Sequence, residues 1–362
     1  MSLYVEQAGL TGAAAGLAAA GAQLAALAAT PLTHAPLADD EVWTAGAGHF
    51  ILHKQGSADM AIAAPFGVTE FKGVDAVDAN HAYVVGEEGA IVKTTDGGAT
   101  WSYVPSPARQ LDPGLPPAWL RGVKFPENDQ TGWVAGRFGA LLRTTDGGAS
   151  WTRQFVKDGD GNIHTGFLWV VEGYDNNHVM TVGKEGFVFR TSDGGTTWQF
   201  SQANMAVNIR DLSYGTHTAV YGATLYDSFV TSADGGASWI RRYPGSNGDL
   251  YSVDFRDAYT GWIVGTNGVI MHTTNAGDSW VTQASGVTAD LNNVSFADTN
   301  FGWAVGNNGT IRFTDNGGAT WNGQTSPVSD HLLWLDMVDA TTGWAVGVNG
   351  AIIKYENSRQ KG

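Results

Sequence analysis

The chain of 362 residues contains no cysteine. Disulfide staples and thiolate metal sites are thereby excluded, so stability must come from packing and hydrogen bonds. Basic residues are few: 20 Lys and Arg stand against 35 Asp and Glu, a net charge of −15. That balance argues against nucleic acid as a partner and against anionic membrane surfaces, because both attract basic patches. No Lys or Arg precedes Lys54, so the basic start of an export signal is missing. Catalytic signatures are missing too. None of the nine His stands in an H-E-x-x-H spacing, and no G-x-S-x-G elbow occurs. A carboxylate pair assembled by folding stays open, but the expectation is a non-enzyme without cofactor.

What is present is a repeat. A corner of the form Ser/Thr-x-Asp/Asn-x-Gly-x-Ser/Thr-Trp closes at Trp101, Trp151, Trp198, Trp239, Trp280 and Trp321, at spacings of 50, 47, 41, 41 and 41 residues. A period near forty means one supersecondary unit per repeat. Before each corner a strand ends in Gly, and this marker recurs at Gly46, Gly86, Gly136, Gly183, Gly222, Gly265, Gly306 and Gly347. Eight markers predict eight units. The first lacks a corner, and the last stops after Ile352-Ile353-Lys354-Tyr355. Each unit divides into four short alternating stretches joined by Asn-Gly or Asp-Gly turns, with no helical period between them. Repeated four-stranded sheets close radially, so the fold class is an all-β propeller over residues 32–362. Eight blades are expected. Seven is the alternative, if the degenerate first unit completes the last blade and locks the ring.

These residues carry a resemblance. The corner resembles the Asp box of sialidases and related propellers. Its pairing with Gly132-Trp133-Val134-Ala135-Gly136 and its counterparts is similar to the family of photosystem II assembly and stability factors, whose relatives occur in other bacteria and in phages. The resemblance implies that the boxes are scaffold, and that an arginine-bearing surface would contact a client protein. The chain departs from such factors in having no Cys for a lipid anchor. It departs from sialidases in having no Phe/Tyr-Arg-Ile-Pro segment.

Residues 1–31 differ in composition. The stretch from Leu10 to Thr30 is uncharged and mostly Ala, with Leu10, Leu17, Leu24 and Leu27 as its larger apolar residues. Seven-residue spacing of the first three leucines puts them on one stripe of a helix, which buries only against another surface. The expectation is a helical arm that anchors the protein in a larger assembly. A homo-oligomer stays open.

Subtracting the scaffold leaves a short list of candidates. Six of 14 Trp close corners, and Trp43, Trp133, Trp262, Trp303 and Trp344 stand three residues before a marker Gly. Trp119, Trp169 and Trp334 remain, each at the head of a first strand, where a propeller presents its channel mouth to loops. Aromatics there stack on sugars or grip a partner chain. Arg121, and Arg137 with Phe138 in a nearby turn, belong to the same face. So do two long insertions, Leu111–Pro117 and Val156–Asn162, since longer loops on one face of a repeat protein mark binding faces. Asp158, Asp160 and Asn162 alternate like the first ligands of a calcium loop, but Ile163 and Trp169 stand where that loop needs Gly and Glu. A solvated Asp-Gly turn is the other reading. The specific expectation is a phage virion component, located in the virion or in the host cytoplasm during assembly. Its rivals are an assembly factor for a membrane complex and a glycan-binding or sialidase-like propeller.

Overall fold

The computed structural model describes residues 42–45, 50–55, 59–63, 70–203 and 207–356. Residues 1–31, with the expected helical arm and its leucines, lie outside the described residues.

Six sheets of four antiparallel strands follow one another along the chain. Each runs from the channel outward in sequence order, as in the second blade: Leu120–Lys124, Gly132–Gly136, Leu141–Thr144 and Thr152–Arg153. The seventh sheet is composite. Leu332–Asp339, Thr342–Gly347 and Ala351–Glu356 form its inner strands. Asp59–Ala63, from the other end of the chain, pairs antiparallel with the last of these, Asp59 opposite Tyr355 and Ala63 opposite Ala351. Phe50–Gln55 and Val42–Ala45 then extend this sheet outward to six strands.

The ring therefore has seven blades, and the expected eighth is corrected. The degenerate first unit is not a blade, because its strand Asp59–Ala63 hydrogen-bonds to the end of the chain and joins the unit to the last sheet. Without Asp59–Ala63 the strand Ala351–Glu356 would present a bare outer edge. Pairing the two ends closes the ring and satisfies that edge.

Second strands are buried along all five residues, unlike the alternation of a half-exposed strand, because a neighbouring blade covers each face. Aromatic trios knit these faces together. Trp262 stacks on Phe296 of the next blade at 3.6 Å, and the corner residue Trp321 meets Phe296 edge-on at 5.8 Å. Tyr221, Phe255 and Trp280 repeat the pattern, as do Tyr83, Phe125 and Trp151. Edge-to-face contacts of this kind add to the burial of the rings themselves.

The boxed residues are structural. Thr144 Oγ1 donates to Asp146 Oδ1 at 2.7 Å, and the Ser150 amide donates to the same oxygen at 2.9 Å. Ser150 Oγ donates to Oδ2 at 2.6 Å. These bonds draw the Asp146 carboxyl down to about 2. In the fifth blade Asn275 does the same work. Its Oδ1 accepts from Thr273 and from the Ser279 amide, and its Nδ2 donates to Ser279 Oγ. A corner that closes equally well around a neutral amide does not depend on charge.

Side chains also staple neighbouring blades at the channel. Asp75 accepts from the Phe125 amide, Asp254 from Phe296, Ser295 from Met337, and Asp336 from Ala76 across the seventh-to-first junction.

Candidate functional site at the channel mouth

Each first strand begins with a fully buried aliphatic or aromatic residue: Phe71, Leu120, Leu168, Ile209, Leu250, Leu291 and Leu332. Immediately after it the register slips by one residue in all seven blades. Leu168 pairs with Gly183 and Val170 with Val182, so Trp169 has no residue opposite it. Such a bulge re-aims the extra side chain. Here the re-aimed residues are Lys72, Arg121, Trp169, Arg210, Tyr251, Asn292 and Leu333, and all seven line one cavity of about 360 Å³ at the channel mouth.

In six of the seven blades the marker Gly stands opposite the strand-opening residue, where the chain approaches closely. A Cβ on Gly183 would lie 2.0 Å from the Phe167 carbonyl oxygen, and the amide of Lys184 donates to that same oxygen at 3.2 Å. Gly136 stands in the same relation to Trp119, with the Arg137 amide as donor at 2.8 Å. Gly86, Gly265, Gly306 and Gly347 repeat the arrangement. The fourth blade departs from it: Thr224 stands opposite the strand-opening Ile209, and Gly222 lies two residues earlier, opposite Leu212, with side-chain atoms of Val230 and Ile209 as its nearest neighbours. In those six blades the marker is thus a close-approach glycine packed against the backbone at the strand head.

Cations and aromatic rings alternate around this cavity. Trp119, 38% exposed, carries Lys72 Nζ and the Arg137 guanidinium each 5.2 Å from its ring. Arg137 also covers Phe138 at 4.7 Å. Trp169 stacks on Phe167 at 4.4 Å, and Arg121 and Arg210 lie 4.9 and 4.7 Å from its ring. Arg121 donates to the carbonyls of Trp169 and Arg210, which ties blades two, three and four together. Burial draws Arg121 down to about 9 and also lowers Arg210, yet a guanidinium at about 9 is still charged at neutral pH.

Of the residues expected at this mouth, Trp119, Arg121 and Trp169 line it, and Arg137 with Phe138 flanks Trp119. Trp334 is placed differently. It packs against the cluster of Phe71 and Val346 on one side and that of Val170 and Leu212 on the other, beneath Arg121 at 5.4 Å. It spans the channel and lines the cavity on the far side, so its position is that of a plug. Lys72, Arg210, Tyr251, Asn292 and Leu333 had no signal as single residues. Aligning the residue after each buried strand-opening side chain would have found them.

Beyond the plug lies a second cavity of about 300 Å³ with an acidic wall of Glu172, Asp211, Asp254 and Asp336. Lys124 Nζ sits 3.2 Å from Asp75 and 3.5 Å from Glu172. Burial raises Glu172 and Asp336 to about 7, with Lys124 opposing and Asp75 reinforcing the rise. For Lys124 burial works downward, but the surrounding carboxylates outweigh it and hold the ammonium charged.

The two insertions form one surface. Arg153 donates to the Leu111 carbonyl and to Asp112, both at 3.0 Å, which binds the first insertion to the root of the second. Leu115, Phe155 and Ile163 are exposed around them. Asp158 Oδ1 accepts from the amides of Asp160 and Asn162, at 3.0 and 2.9 Å, which closes an Asp-Gly turn. Among the described residues no three His, Asp or Glu side chains are grouped to hold a metal ion.

Fold and site together define a seven-bladed Asp-box propeller with a plugged channel and a cation–aromatic mouth. The family described as photosynthesis system II assembly factor YCF48 matches residues 62–221 and 201–285, and the chain belongs to that family. No match exists among curated proteins. Among solved structures, a YCF48 bound to a D1 peptide is 21% identical, with a TM-score of 0.69 over 83% of this chain and 97% of that one. YCF48 from Cyanidioschyzon merolae is 22% identical, with a TM-score of 0.68 over 83% and 99%. The WD40 propeller of Doa1 reaches 0.64 at 12% identity over 81% and 95%, a likeness of fold alone.

Proposed function

We propose that this protein is a non-catalytic docking module that holds a client polypeptide while a membrane protein complex is assembled. Membership of the YCF48 family carries this reading, and a relative's structure with a bound D1 peptide supports a protein segment as the ligand. The assembly-factor reading thereby stands ahead of the virion reading, for which the family and the neighbouring structures offer no support. The client surface comprises the mouth residues Trp119, Arg121 and Trp169, the Arg137–Phe138 turn, and the joined insertions. Rigid aromatic rings overlaid by guanidinium groups are the side chains that dominate binding energy at protein interfaces. The Ala-rich arm would then attach the module to the assembly, and its four leucines would be the contact stripe.

Native gel analysis of membrane extracts from the source cells tests the reading. The protein should migrate with a partly assembled membrane complex and be absent from the finished one. A Trp119→Ala, Arg137→Ala double variant should fold normally and lose that association. Migration only with soluble particles, or association unaffected by the double variant, would refute it.

A further inference from the structure

We infer that the floor of the channel mouth is a subsite for a monocarboxylate attached to an apolar group, with Arg210 as its cation and Trp169 and Tyr251 as its walls. The inference rests on the reading that the mouth is a docking site and goes further by naming the chemical group it takes.

The argument starts from how the mouth cations are committed. Lys72 is ion-paired with Glu70 and approached by Glu87 at 3.8 Å. Arg121 turns its Nη1 onto two backbone carbonyls, which fixes the guanidinium against the wall. Arg137 lies out on the rim over Trp119 and Phe138. Arg210 is different. Its guanidinium is held between the Trp169 ring at 4.7 Å and the Tyr251 ring at 5.4 Å, and its buried Nε has no acceptor among the described residues. Asp249 and Asp211 act on it through their charge, but their hydrogen bonds go to backbone amides. Asp249 accepts from the Tyr226 amide, and Asp211 from the amides of Leu212 and Val253. Trp169 Nε1 is also buried without an acceptor.

A site that offers donors and no matching acceptor selects an anion, because a desolvated guanidinium left unpaired is costly. One fork-shaped cation clamped between two rings suits a planar carboxylate, which it can meet through two parallel bonds. A dianion is disfavoured by Glu70 and Asp249 close by. The remaining wall, formed by Phe167, Trp169 and Leu333, is apolar and suits a hydrocarbon or aromatic group. The cavity is near the lower end of the range for small ligands. The carboxylate can come from a free organic acid or from the last residue of a polypeptide, since both present the same group.

Calorimetric titration with N-acetylphenylalanine and with its primary amide separates charge from shape. The acid should bind and the amide should bind about tenfold more weakly or worse, the loss expected when a charge-assisted hydrogen bond is removed. Arg210→Gln should abolish the preference for the acid, and Tyr251→Leu, which keeps the guanidinium, should weaken both compounds. Thermal melts show whether either variant folds. A hexapeptide ending in Phe then identifies the source: tighter binding than the free acid points to a polypeptide terminus, equal binding to a small organic acid, and either outcome supports the subsite. Equal binding of acid and amide, no heat with either, or an unchanged preference in a folded Arg210→Gln protein would overturn it. If the subsite fails while Trp119→Ala, Arg137→Ala still releases the membrane complex, the docking function stands without it.

Discussion

Replacing Gly183 by Ala tests the link between the repeated marker and the mouth. The new Cβ would lie 2.0 Å from the Phe167 carbonyl oxygen and 3.4 Å from the Leu168 Cα, both backbone atoms that cannot rotate away. Relief requires the head of the first strand to move by about 1.5 Å, since carbon atoms in ordinary contact stay some 3.5 Å or more from their neighbours. Overpacking of this kind costs about 1–3 kcal/mol. Loss of the bond from Lys184 to Phe167 adds about 1 kcal/mol, for a total near 2–4 kcal/mol. The extended backbone at Gly183 adds no strain of its own. Gly222→Ala is the control, because the Cβ there meets side-chain atoms of Val230 and Ile209 at 2.8 and 3.0 Å. Its cost should be nearer 1–2 kcal/mol. At roughly 2 °C per kcal/mol for a chain of this size, Gly183→Ala should lower Tm by about 4–8 °C and Gly222→Ala by about 2–4 °C. Trp169 fluorescence offers a second readout, since moving the strand head disturbs its stack on Phe167. Equal Tm losses for the two variants, or an unchanged Gly183→Ala melt, would refute the coupling of marker and bulge.

Removing residues 1–41 should leave a closed ring, whereas removing residues 1–63 also takes away Asp59–Ala63 and exposes the Ala351–Glu356 edge; size-exclusion chromatography should show aggregation only for the longer truncation. Trp334→Ala should cost about 3–5 kcal/mol in denaturant unfolding as a plug removed from two clusters, while Trp119→Ala should change stability little and client binding much. Glu172 binds its proton more tightly folded than unfolded, so its share of stability falls as pH rises from about 4.5 through about 7. Melts of Glu172→Gln should accordingly gain on the unaltered protein between pH 5 and pH 8, and a difference that stays constant with pH would contradict the burial of that carboxyl.

Much of the architecture was legible because it is local. The box of Thr144, Asp146, Gly148 and Ser150 closes within its own seven residues, so the motif that reveals it is also the structure it makes. Blade number was not local. Gly46 looks like the other markers, yet whether its unit forms a blade depends on pairing with strands nearly three hundred residues away. Trp334 reads like Trp119 and Trp169 because each opens a first strand. A one-residue slip separates them in space: Trp169 stands on the bulge, and Trp334 stands one residue past its own, at Leu333.

By itself the sequence determined the four-stranded repeat, the corners and the structural role of most tryptophans, since turn chemistry and strand periodicity act over a few neighbouring residues. Tertiary structure alone decided the seven-fold closure, the division of the channel by Trp334, and the ring from Lys72 to Leu333. Those features arise where bulges in seven separate strands converge on one axis, and convergence of distant segments leaves no pattern within any one of them.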